Sequence, residues 1–455
     1  MKGIEIKRIG NNYYAYKSTT VWDKDKKKRR KVSRYLGKYV DGKIVKVREI
    51  ASIRGVYELG NVSLLWHIIE KSGIKSMLQK TFPDEWEEIV LLAFNRVLNP
   101  QPLKSVKLWY EKTYLAKLIN PVLSPKSLSS YLREIGSDAA AQREFFRRLI
   151  GKDEKIVYDT TSIFTYSKNI NLAELGYNKE HLLLPQINIL LAFSKKRKLP
   201  CYIRVVPGSI MDAKTLRVFV EEINDKRAFI VLDKGFLSQD NFDVLSKYDI
   251  NFIIPLRRNS RAIDYSKHLR KVFVFRERAI KCTRYSYENF YVYLFEDILL
   301  RAEEENEFYN IREKGVKLTF NRKVSGKIAL LSNVKANPEE IYLLYKSRDE
   351  IEKVFHVFKN VLQADRPYLR DDDSIRGHVF VSFVALYIYY HVLNKLLKLN
   401  LSNKLSVKDV LLELSKVYAI ELNDRIIVSE IPKKAQQLAN LFNLDIELFP
   451  KKVRS

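Results

Sequence analysis

The stretch from residue 155 to residue 256 most limits the folds open to this chain, because short apolar runs alternate there with amphipathic segments. Three strands come first, followed by a helix, a strand, a second helix and a last strand. The predicted strands are 155–159, 186–193, 199–206, 228–233 and 250–256, and the predicted helices are 212–225, capped by Asp212, and 238–248. Strands alternating with helices form an open sheet covered by helices. The sequence therefore predicts an α/β core.

The regions on either side of this core have other patterns. Residues 1–58 alternate as strands do, and residues 60–150 have the apolar periodicity of helices, with Ser124 as a predicted N-cap. Residues 257–335 are β-rich and irregular, and the tail at 400–455 carries two amphipathic segments. A chain of 455 residues is long enough for two to four domains, so several regions of different class are expected.

The charge of the chain favours a polyanionic partner. Lys and Arg total 81 against 54 Asp and Glu, which gives a formal charge of +27 and an isoelectric point near 9.7. Nucleic acid is the commonest partner of such a protein, and a lysine-rich lineage with no nucleic acid involved is the alternative. The composition, 46% hydrophobic and 12% aromatic, is that of a globular protein and excludes a disordered chain.

Several classes of protein are excluded by what the sequence contains. Two cysteines, Cys201 and Cys282, cannot form a disulfide framework or a CxxC metal site. The first ten residues have no apolar core of a signal peptide. The apolar run at 378–397 is interrupted by His391 and falls short of the ~20 residues that span a membrane. We expect a buried helix in a cytoplasmic protein.

A basic segment within residues 1–58 is the first candidate for contact with DNA. Its cations are Lys26, Lys27, Lys28, Arg29 and Arg30, and Tyr and Trp residues flank it. Two or three strands joined by this basic turn predict a β-hairpin arm. Cations interleaved with aromatic residues favour a DNA contact, although a basic turn can also be a solvated loop.

Two carboxylates follow apolar strands of the predicted core. Asp159 and Asp233 each stand where such a strand is predicted to end, and strand ends in an open sheet can lie side by side. Two adjacent carboxylates repel unless a cation lies between them, and oxygen ligands without His or Cys favour Mg²⁺ or Mn²⁺. Two such ions support phosphodiester cleavage, with Glu352 as a third ligand. Taken singly, Asp159 could form an Asx turn and Asp233 could be a loop carboxylate.

The segment 345–359 predicts one amphipathic helix with an unusual polar stripe. At 100° per residue, Tyr345, Arg348, Glu352 and Lys359 share a stripe roughly 60° wide that borders the apolar face. Arg348 and Glu352 could form an i, i+4 pair that stabilises the helix by a few tenths of a kcal/mol. Such a pair belongs in solvent, whereas this stripe borders the core, so the pattern favours a functional site.

The chain resembles the DDE transposases of prokaryotic insertion sequences, in the branch marked by a Tyr-Arg-Glu-Lys signature. Tyr345, Arg348, Glu352 and Lys359 match that signature at every spacing. The resemblance extends over at least residues 150–395, through the motifs "VYDTTSIFTYS", "AELGYNKEH", "GSIMDAKTL", "VLDKGF" and "SIRGHVFVSFVALYI". Two positions depart from the family pattern: Lys234 follows the second Asp where Arg is usual, and no Arg-Pro follows His181.

The resemblance implies a ribonuclease-H-like core interrupted by a β-rich insertion between the second Asp and the Glu. It also implies Asp159, Asp233 and Glu352 as catalytic ligands of two Mg²⁺ or Mn²⁺ ions, and Tyr345, Arg348 and Lys359 as phosphate contacts. The predicted regions are a basic β-hairpin arm at 1–58, a helical DNA-binding region at 59–150, core at 151–256, the insertion at 257–335, core again at 336–399 and a helical tail at 400–455. No Trp lies in the insertion, so a base stacked there would need a Tyr or Phe.

The activity implied is DNA cleavage at the ends of an insertion sequence and joining of the 3′-OH ends to target DNA. The partners implied are double-stranded DNA, carrying terminal inverted repeats or the target, and a second copy of the chain bound to it, with no membrane and a location on the nucleoid. His181 and His378 are expected to be structural, since the family makes neither a metal ligand. A decayed DNA-binding relative and a metal-dependent nuclease without strand transfer are the alternatives.

Overall fold

The computed structural model describes most of the chain. The described residues are 3–10, 12–23, 27–45, 53–151, 154–165, 167, 169–176, 183–210, 212–223, 228–314, 319–365, 369–423 and 425–452. The chain divides into two compact units. One comprises Met1–Val56 with Ile420–Ile427, and the other comprises Tyr57–Ala419 with Val428–Ser455.

The strands lie at the start of the chain, between residues 155 and 332, and again near the C-terminal end. In chain order the strands are β1 (Ile4–Ile9), β2 (Asn12–Asp23), β3 (Lys28–Val40), β4 (Lys43–Val45), β5 (Gly55–Glu58), β6 (Lys155–Phe164), β7 (Gln186–Ser194), β8 (Leu199–Pro207), β9 (Phe229–Val231), β10 (Asn251–Pro255), β11 (Lys271–Phe275), β12 (Arg278–Tyr287), β13 (Phe290–Asp297), β14 (Lys327–Ser332), β15 (Tyr418–Glu421) and β16 (Ile426–Val428). They form sheets of four, nine and three strands.

The helices fall mainly in the N-terminal half of the larger unit and after the last strand of the nine-stranded sheet. In chain order they are α1 (Gly60–Lys71), α2 (Ile74–Thr81), α3 (Trp86–Leu98), α4 (Leu103–Tyr110), α5 (Pro125–Ser137), α6 (Ala139–Leu149), α7 (Asp212–Ile223), α8 (Gln239–Lys247), α9 (Ile298–Glu313), α10 (Pro338–Lys346), α11 (Asp349–His356), α12 (Asp372–Lys398), α13 (Val407–Leu414), α14 (Lys433–Leu441) and α15 (Phe449–Lys452). Helices therefore occupy residues 60–149, as predicted, and the Ser124 side chain caps α5 by accepting from the Ser127 N–H at 3.0 Å.

The smaller unit contains an antiparallel sheet of strands β1, β2, β3 and β4, in that order. The basic residues predicted to form a turn lie mostly in a strand: Lys28–Arg30 begin β3 and pair with β2, with Arg29 opposite Trp22. Only Lys27 precedes the strand, with a positive φ of 43°, and Lys26 lies outside the described residues. The alternation of side chains along β3 continues through the charged residues, so charge alone does not mark a turn.

The nine-stranded sheet contains every strand predicted between residues 155 and 256. Strands β8, β7, β6, β9 and β10 are neighbours in that order. Strand β7 is antiparallel to its neighbours β8 and β6, whereas β6, β9 and β10 run parallel. The helices α7 and α8 form the parallel connections, since a crossover is needed to join parallel strands. The predicted α/β core is confirmed in this order of elements.

Residues 257–335 extend the same sheet. Strand β14 pairs antiparallel with β10, and β13, β12 and β11 continue outward to the edge. The segment 316–320 of this β-rich region lies partly outside the described residues, and Thr319 and Phe320 are in no strand. The helix α9 was not predicted; none of its 16 residues is buried. A helix without a buried face leaves no apolar periodicity to detect.

The apolar segment near residue 380 lies within the long helix α12. This helix is long and apolar enough to cross a membrane, but 72% of its most apolar window is buried inside the protein. It packs closely on α5, where a Cβ on Gly377 would lie 1.9 Å from the carbonyl oxygen of Leu132. Such burial is what a core helix requires, and it agrees with the predicted buried helix.

Candidate active site

The register of two parallel strands brings Asp159 and Asp233 together. Val157 of β6 is the partner of Val231 of β9, and each Asp lies two residues further along its chain. Side chains alternate between the faces of a sheet, so both carboxylates emerge on the same face at the same level. Asp159 does not end its strand as predicted, because β6 continues to Phe164. The predicted proximity of the two carboxylates does not depend on that strand end.

A single guanidinium lies against both carboxylates. Nη1 of Arg348 donates to Oδ1 of Asp233 at 3.1 Å, and its Nη2 lies 3.9 Å from Oδ2 of Asp159. The side chains are only 13% exposed for Arg348 and 5% for Asp159. Asp233 also accepts from the Lys234 N–H at 2.6 Å, and Asp159 accepts from the Thr160 N–H at 2.9 Å.

Arg348 points at the aspartates from a break between two helices. The predicted single helix at 345–359 is wrong, because α10 ends at Lys346 and α11 begins at Asp349. The Arg348 N–H donates to the Tyr345 carbonyl three residues back, and the Ile351 N–H donates to the Arg348 carbonyl in the same way. These hydrogen bonds tighten the chain locally, in the manner of a 3₁₀ turn. Within the described part of the chain Arg348 forms its ion pairs with Asp233 and Asp159, not with Glu352.

The charges around Arg348 favour its protonated form. Burial acts to lower the pKa of Arg348, but the carboxylates of Asp233 and Asp159 outweigh burial and raise that pKa above its usual range. Burial raises the pKa of the neighbouring Tyr345, with Asp233 acting in the same direction. The guanidinium is therefore a permanent cation beside the aspartates, and the Tyr345 hydroxyl is a neutral hydrogen-bonding group.

Glu352 and Tyr345 line a cavity of about 600 Å³ together with Asp233 and Arg348. Its wall also carries residues that the sequence did not single out as functional: Lys234, Arg257, Arg258, Tyr265 and Lys327. Several of these follow the ends of β9 and β10, where the reasoning applied to Asp233 could have found them. The cavity is therefore lined by the carboxylates of Asp233 and Glu352 and by several Lys and Arg side chains.

Lys359 does not line this cavity, and its side chain contacts strand β6 instead. It belongs to a π-helical turn, Val357–Val361, that continues α11, and its Nζ donates to the carbonyl oxygen of Ser162 at 2.7 Å. A π turn inserts an extra residue into the helical repeat, which rotates later residues away from the stripe calculated for a regular helix. The structure thus brings Tyr345, Arg348 and Glu352 to one cavity and places the Lys359 ammonium three residues beyond Asp159 along β6.

The donor groups of the site suit a hard divalent cation. Asp159 and Asp233 already share one cation, the Arg348 guanidinium, and their oxygens are the ligands that Mg²⁺ and Mn²⁺ prefer. Glu352 is exposed on the same cavity wall. Among the described residues no three His, Cys, Asp or Glu side chains are grouped closely enough to hold a metal ion. The aspartate pair therefore fits such an ion, and Glu352, the third carboxylate of the predicted set, lines the same cavity as Asp233.

His378 is held by contacts within the protein, as expected for a structural histidine. Its Nε2 donates to the Ala364 carbonyl at 3.0 Å, and its Nδ1 lies 3.4 Å from Nη2 of Arg96. Arg96 also donates to the carbonyls of Leu362 and Gln363, directly after the π-helical turn. The other candidate, His181, lies outside the described residues. These contacts anchor the end of the segment that carries Glu352.

Stability should fall in acid because of His378. Burial lowers the pKa of His378 to about 3, and the Arg96 charge acts in the same direction. The unfolded chain binds this proton near pH 6.5, so between pH 6.5 and 3 the unfolded state gains a proton that the folded state excludes. We expect the free energy of unfolding to fall by up to about 1.4 kcal/mol per pH unit on this account. Urea unfolding of a His378→Phe variant should show a shallower fall, while the exposed His268→Phe control should keep the wild-type slope. Equal slopes in all three proteins would contradict this account.

Comparison with known families identifies the class of the protein. The sequence pattern of the family described as transposase DDE domain matches residues 150–388, more than half of the chain and the part that contains both aspartates, Arg348 and Glu352. The chain belongs to the transposase DDE domain family, and a transposase-type function follows from that membership. Comparison with curated proteins gives no match.

Proposed function

We propose that this chain is the transposase of a prokaryotic insertion sequence, of the branch with the Tyr-Arg-Glu-Lys signature. It cleaves DNA at the ends of its element and joins the free 3′-OH ends to target DNA. The observation that carries the proposal is the pair Asp159 and Asp233, which share one cation beside the cavity that Glu352 lines. Carboxylates converging in this way are what phosphodiester cleavage by two metal ions needs.

The catalytic unit in this proposal is a ribonuclease-H-like core. Its support is the strand order β8, β7, β6, β9, β10, with the first three antiparallel and the last two parallel to β6. Asp159 then lies on the first strand of the core in chain order, and Asp233 lies just after the fourth. The insertion at 257–335 is part of the same proposal, because it separates Asp233 from Glu352 and supplies one wall of the cavity.

The metal ligands proposed are Asp159, Asp233 and Glu352, which would hold two Mg²⁺ or Mn²⁺ ions. Such ions activate the attacking hydroxyl and stabilise the leaving 3′ oxygen when they are bound. The residues of this chain supply the orientation. Strands β6 and β9 fix the two aspartates, and the anchoring of the segment after α11 by Arg96 limits how far Glu352 can move.

The phosphates that flank the scissile bond are assigned to Tyr345, Arg348 and Lys359. A guanidinium offers a planar fork to phosphate oxygens, an ammonium offers a point charge, and Tyr adds a hydroxyl. Lys234, Arg257 and Lys327 extend this cationic surface along the cavity. A strand lying in the cavity would therefore be bound mainly by its backbone, which suits an enzyme that also acts on varied target DNA.

Tyr265 is the residue we propose for stacking a base displaced from the DNA end. It lines the cavity within the insertion, and Nζ of Lys327 lies 5.5 Å from its ring centroid. An aromatic face beside a cation accepts any base, because stacking does not depend on base identity. Tyr265 would thus take the stacking role that a Trp could have had, and it lines the same cavity as Asp233 and Glu352.

Duplex DNA is the partner in this proposal, and a second copy of the chain is expected when both element ends are held. The basic residues 26–30 and the helices α1 to α6 are the proposed contacts with the inverted repeats. A protein acting on the nucleoid needs no membrane anchor, and most of the apolar window of α12 is buried inside the protein.

The experiment that tests the proposal is a strand-transfer reaction. Duplexes carrying the inverted repeats that flank the gene should be cleaved in Mg²⁺ and joined to a supercoiled plasmid, giving a product labelled on both partners. Cleaved ends without joined product would favour the metal-dependent nuclease. Binding without cleavage would favour the decayed DNA-binding protein. Joined product that forms equally well in EDTA would contradict the metal assignment.

A further inference from the structure

The Arg348 guanidinium lies where the proposed metal ion would bind. Its guanidinium lies within 3.1 Å of one aspartate and 3.9 Å of the other, which is the position where the proposed function puts a divalent cation. Two carboxylates at adjacent positions of parallel strands repel each other. The Arg348 guanidinium is a positive charge beside both carboxylates that offsets this repulsion.

The pose of Arg348 is held by the two aspartates, with a further hydrogen bond to the Tyr345 side chain. Its Nε is buried and, within the described part of the protein, has no hydrogen-bond partner. An unsatisfied buried N–H is unfavourable, so this orientation depends on the attraction of the two carboxylates. The Tyr345 ring beside it, with its centroid 5.9 Å from the guanidinium carbon, offers a surface along which the side chain can turn. A divalent cation bound to the two aspartates would remove the electrostatic attraction that holds the Arg348 side chain in this orientation.

We propose that Arg348 is an internal counter-ion, which occupies the aspartate pair in the free protein and leaves it when a divalent ion binds there. This inference rests on the proposed function, which assigns the metal to Asp159 and Asp233. A guanidinium and a divalent ion repel each other at so short a distance, so they compete for the pair. The Arg348 side chain then turns into the cavity, where a DNA phosphate is its new partner.

Binding of metal and binding of DNA are coupled by this exchange. In the free protein the ion must displace Arg348 without offering it another anion, so metal binds weakly. Once a phosphate lies in the cavity, the guanidinium has an anionic partner both at the aspartates and in the cavity. The free-energy cost of displacing it from the aspartates is then lower. Linkage requires that the metal strengthen phosphate binding by the same factor. The free transposase is thereby kept from loading the ions that would let it nick DNA at random.

Mn²⁺ binding to the full-length protein without DNA tests the inference. The free ion is measured by electron paramagnetic resonance during titration of wild type, Arg348→Ala and Arg348→Lys. We expect Arg348→Ala to bind Mn²⁺ about 10- to 100-fold more tightly than wild type, in line with the removal of a charge-assisted hydrogen bond. Arg348→Lys should stay close to wild type, because it keeps the positive charge.

Arg257→Ala is the matched control. Arg257 lines the same cavity and its replacement removes the same charge, but it forms no ion pair with either aspartate among the described residues. A gain in Mn²⁺ affinity as large as that of Arg348→Ala would mean that net charge alone is responsible, which would overturn the inference. The double variant Asp159→Asn, Arg348→Ala should show no such gain, since the ion then has one carboxylate fewer.

Thermal unfolding gives a second readout that needs no DNA. In EDTA, Arg348→Ala should melt below wild type, because the buried Asp159 loses its ion pair with the Arg348 guanidinium, and Mn²⁺ should restore its melting temperature while moving wild type little. Tight, Asp159-dependent binding of equal strength in wild type and Arg348→Ala would refute the counter-ion role and leave the proposed function intact. Absence of Mn²⁺ binding in every variant would refute both.

Discussion

Replacing Asp159 with Asn should reduce cleavage of element-end DNA by about 1,000-fold or more, with DNA binding unchanged or slightly tighter. Asn keeps the shape of the side chain but removes the charge that a divalent ligand site requires. A loss of about 1,000-fold corresponds to about 4 kcal/mol of barrier, within the several kcal/mol that metal ions contribute to such reactions. Binding should not suffer, because the change removes negative charge near the phosphates. Single-turnover cleavage in Mg²⁺ and a binding titration in Ca²⁺ measure the two effects separately.

The same result is expected for Asp233→Asn and Glu352→Gln. Asp240→Asn is a suitable control, because Asp240 is an exposed carboxylate in the first turn of α8 and outside the proposed site. Its variant should cleave at the wild-type rate. Persistent nicking by Asp159→Asn in Mg²⁺ would show that the two-metal assignment is wrong. Full activity of Glu352→Gln alone would instead remove Glu352 from the ligand set and leave the aspartate pair.

The aspartate pair was within reach of the sequence because it follows from sheet geometry. Apolar runs at 155–159 and 228–233 predict buried strands, and parallel neighbours place equivalent positions side by side. The predicted ends of these strands were less accurate. Strand β6 runs on through Thr160, Thr161 and Ile163, which are β-branched residues that favour strands although they interrupt the apolar run.

Local sequence patterns could not predict that Arg348 pairs with Asp159 and Asp233. Spacing within one segment indicates Glu352 as its neighbour, whereas the carboxylates that it contacts come from β6 and from the loop after β9. The break before α11 is equally hidden. Ser347 and Arg348 keep helical dihedral angles, and the change lies in hydrogen bonds to carbonyls three residues back, with the Ser347 hydroxyl donating to the Leu344 carbonyl at 2.5 Å. Side-chain periodicity does not record such a change.

Neutralising the basic residues at the start of strand β3 should cause a large loss of DNA affinity. Its first residues, with Lys27 before them, present cations to solvent, and the exposed Trp22 lies opposite Arg29 on β2. Lys31 differs from them, because its ammonium is already paired with Glu5 at 2.7 Å within the sheet. The variant that tests the DNA contact is therefore the set of Gln replacements at 27–30, with Lys31 retained.

That four-residue variant should bind element-end DNA about 10- to 1,000-fold more weakly, if each ion pair removed contributes up to about 1 kcal/mol. Each phosphate bound by a cation also releases counterions. The slope of log affinity against log salt should therefore become shallower by about 0.9 for each phosphate that is no longer neutralised, or about 3 to 4 for the set. Fluorescence anisotropy from about 50 to about 300 mM salt measures both quantities, over the range where the salt dependence of such binding is steep.

A control with the same change in net charge separates a local contact from the general field of the protein. Four exposed lysines on the C-terminal side of the chain serve for it: Lys398, Lys404, Lys408 and Lys433. Their replacement by Gln removes four charges but no proposed phosphate contact, so the salt slope should stay at the wild-type value. If both variants flatten the slope equally, the basic strand is no more than one part of a diffuse positive field. If only the β3 variant does so, phosphates bind at residues 27–30, and the smaller unit of the protein takes part in holding the DNA end.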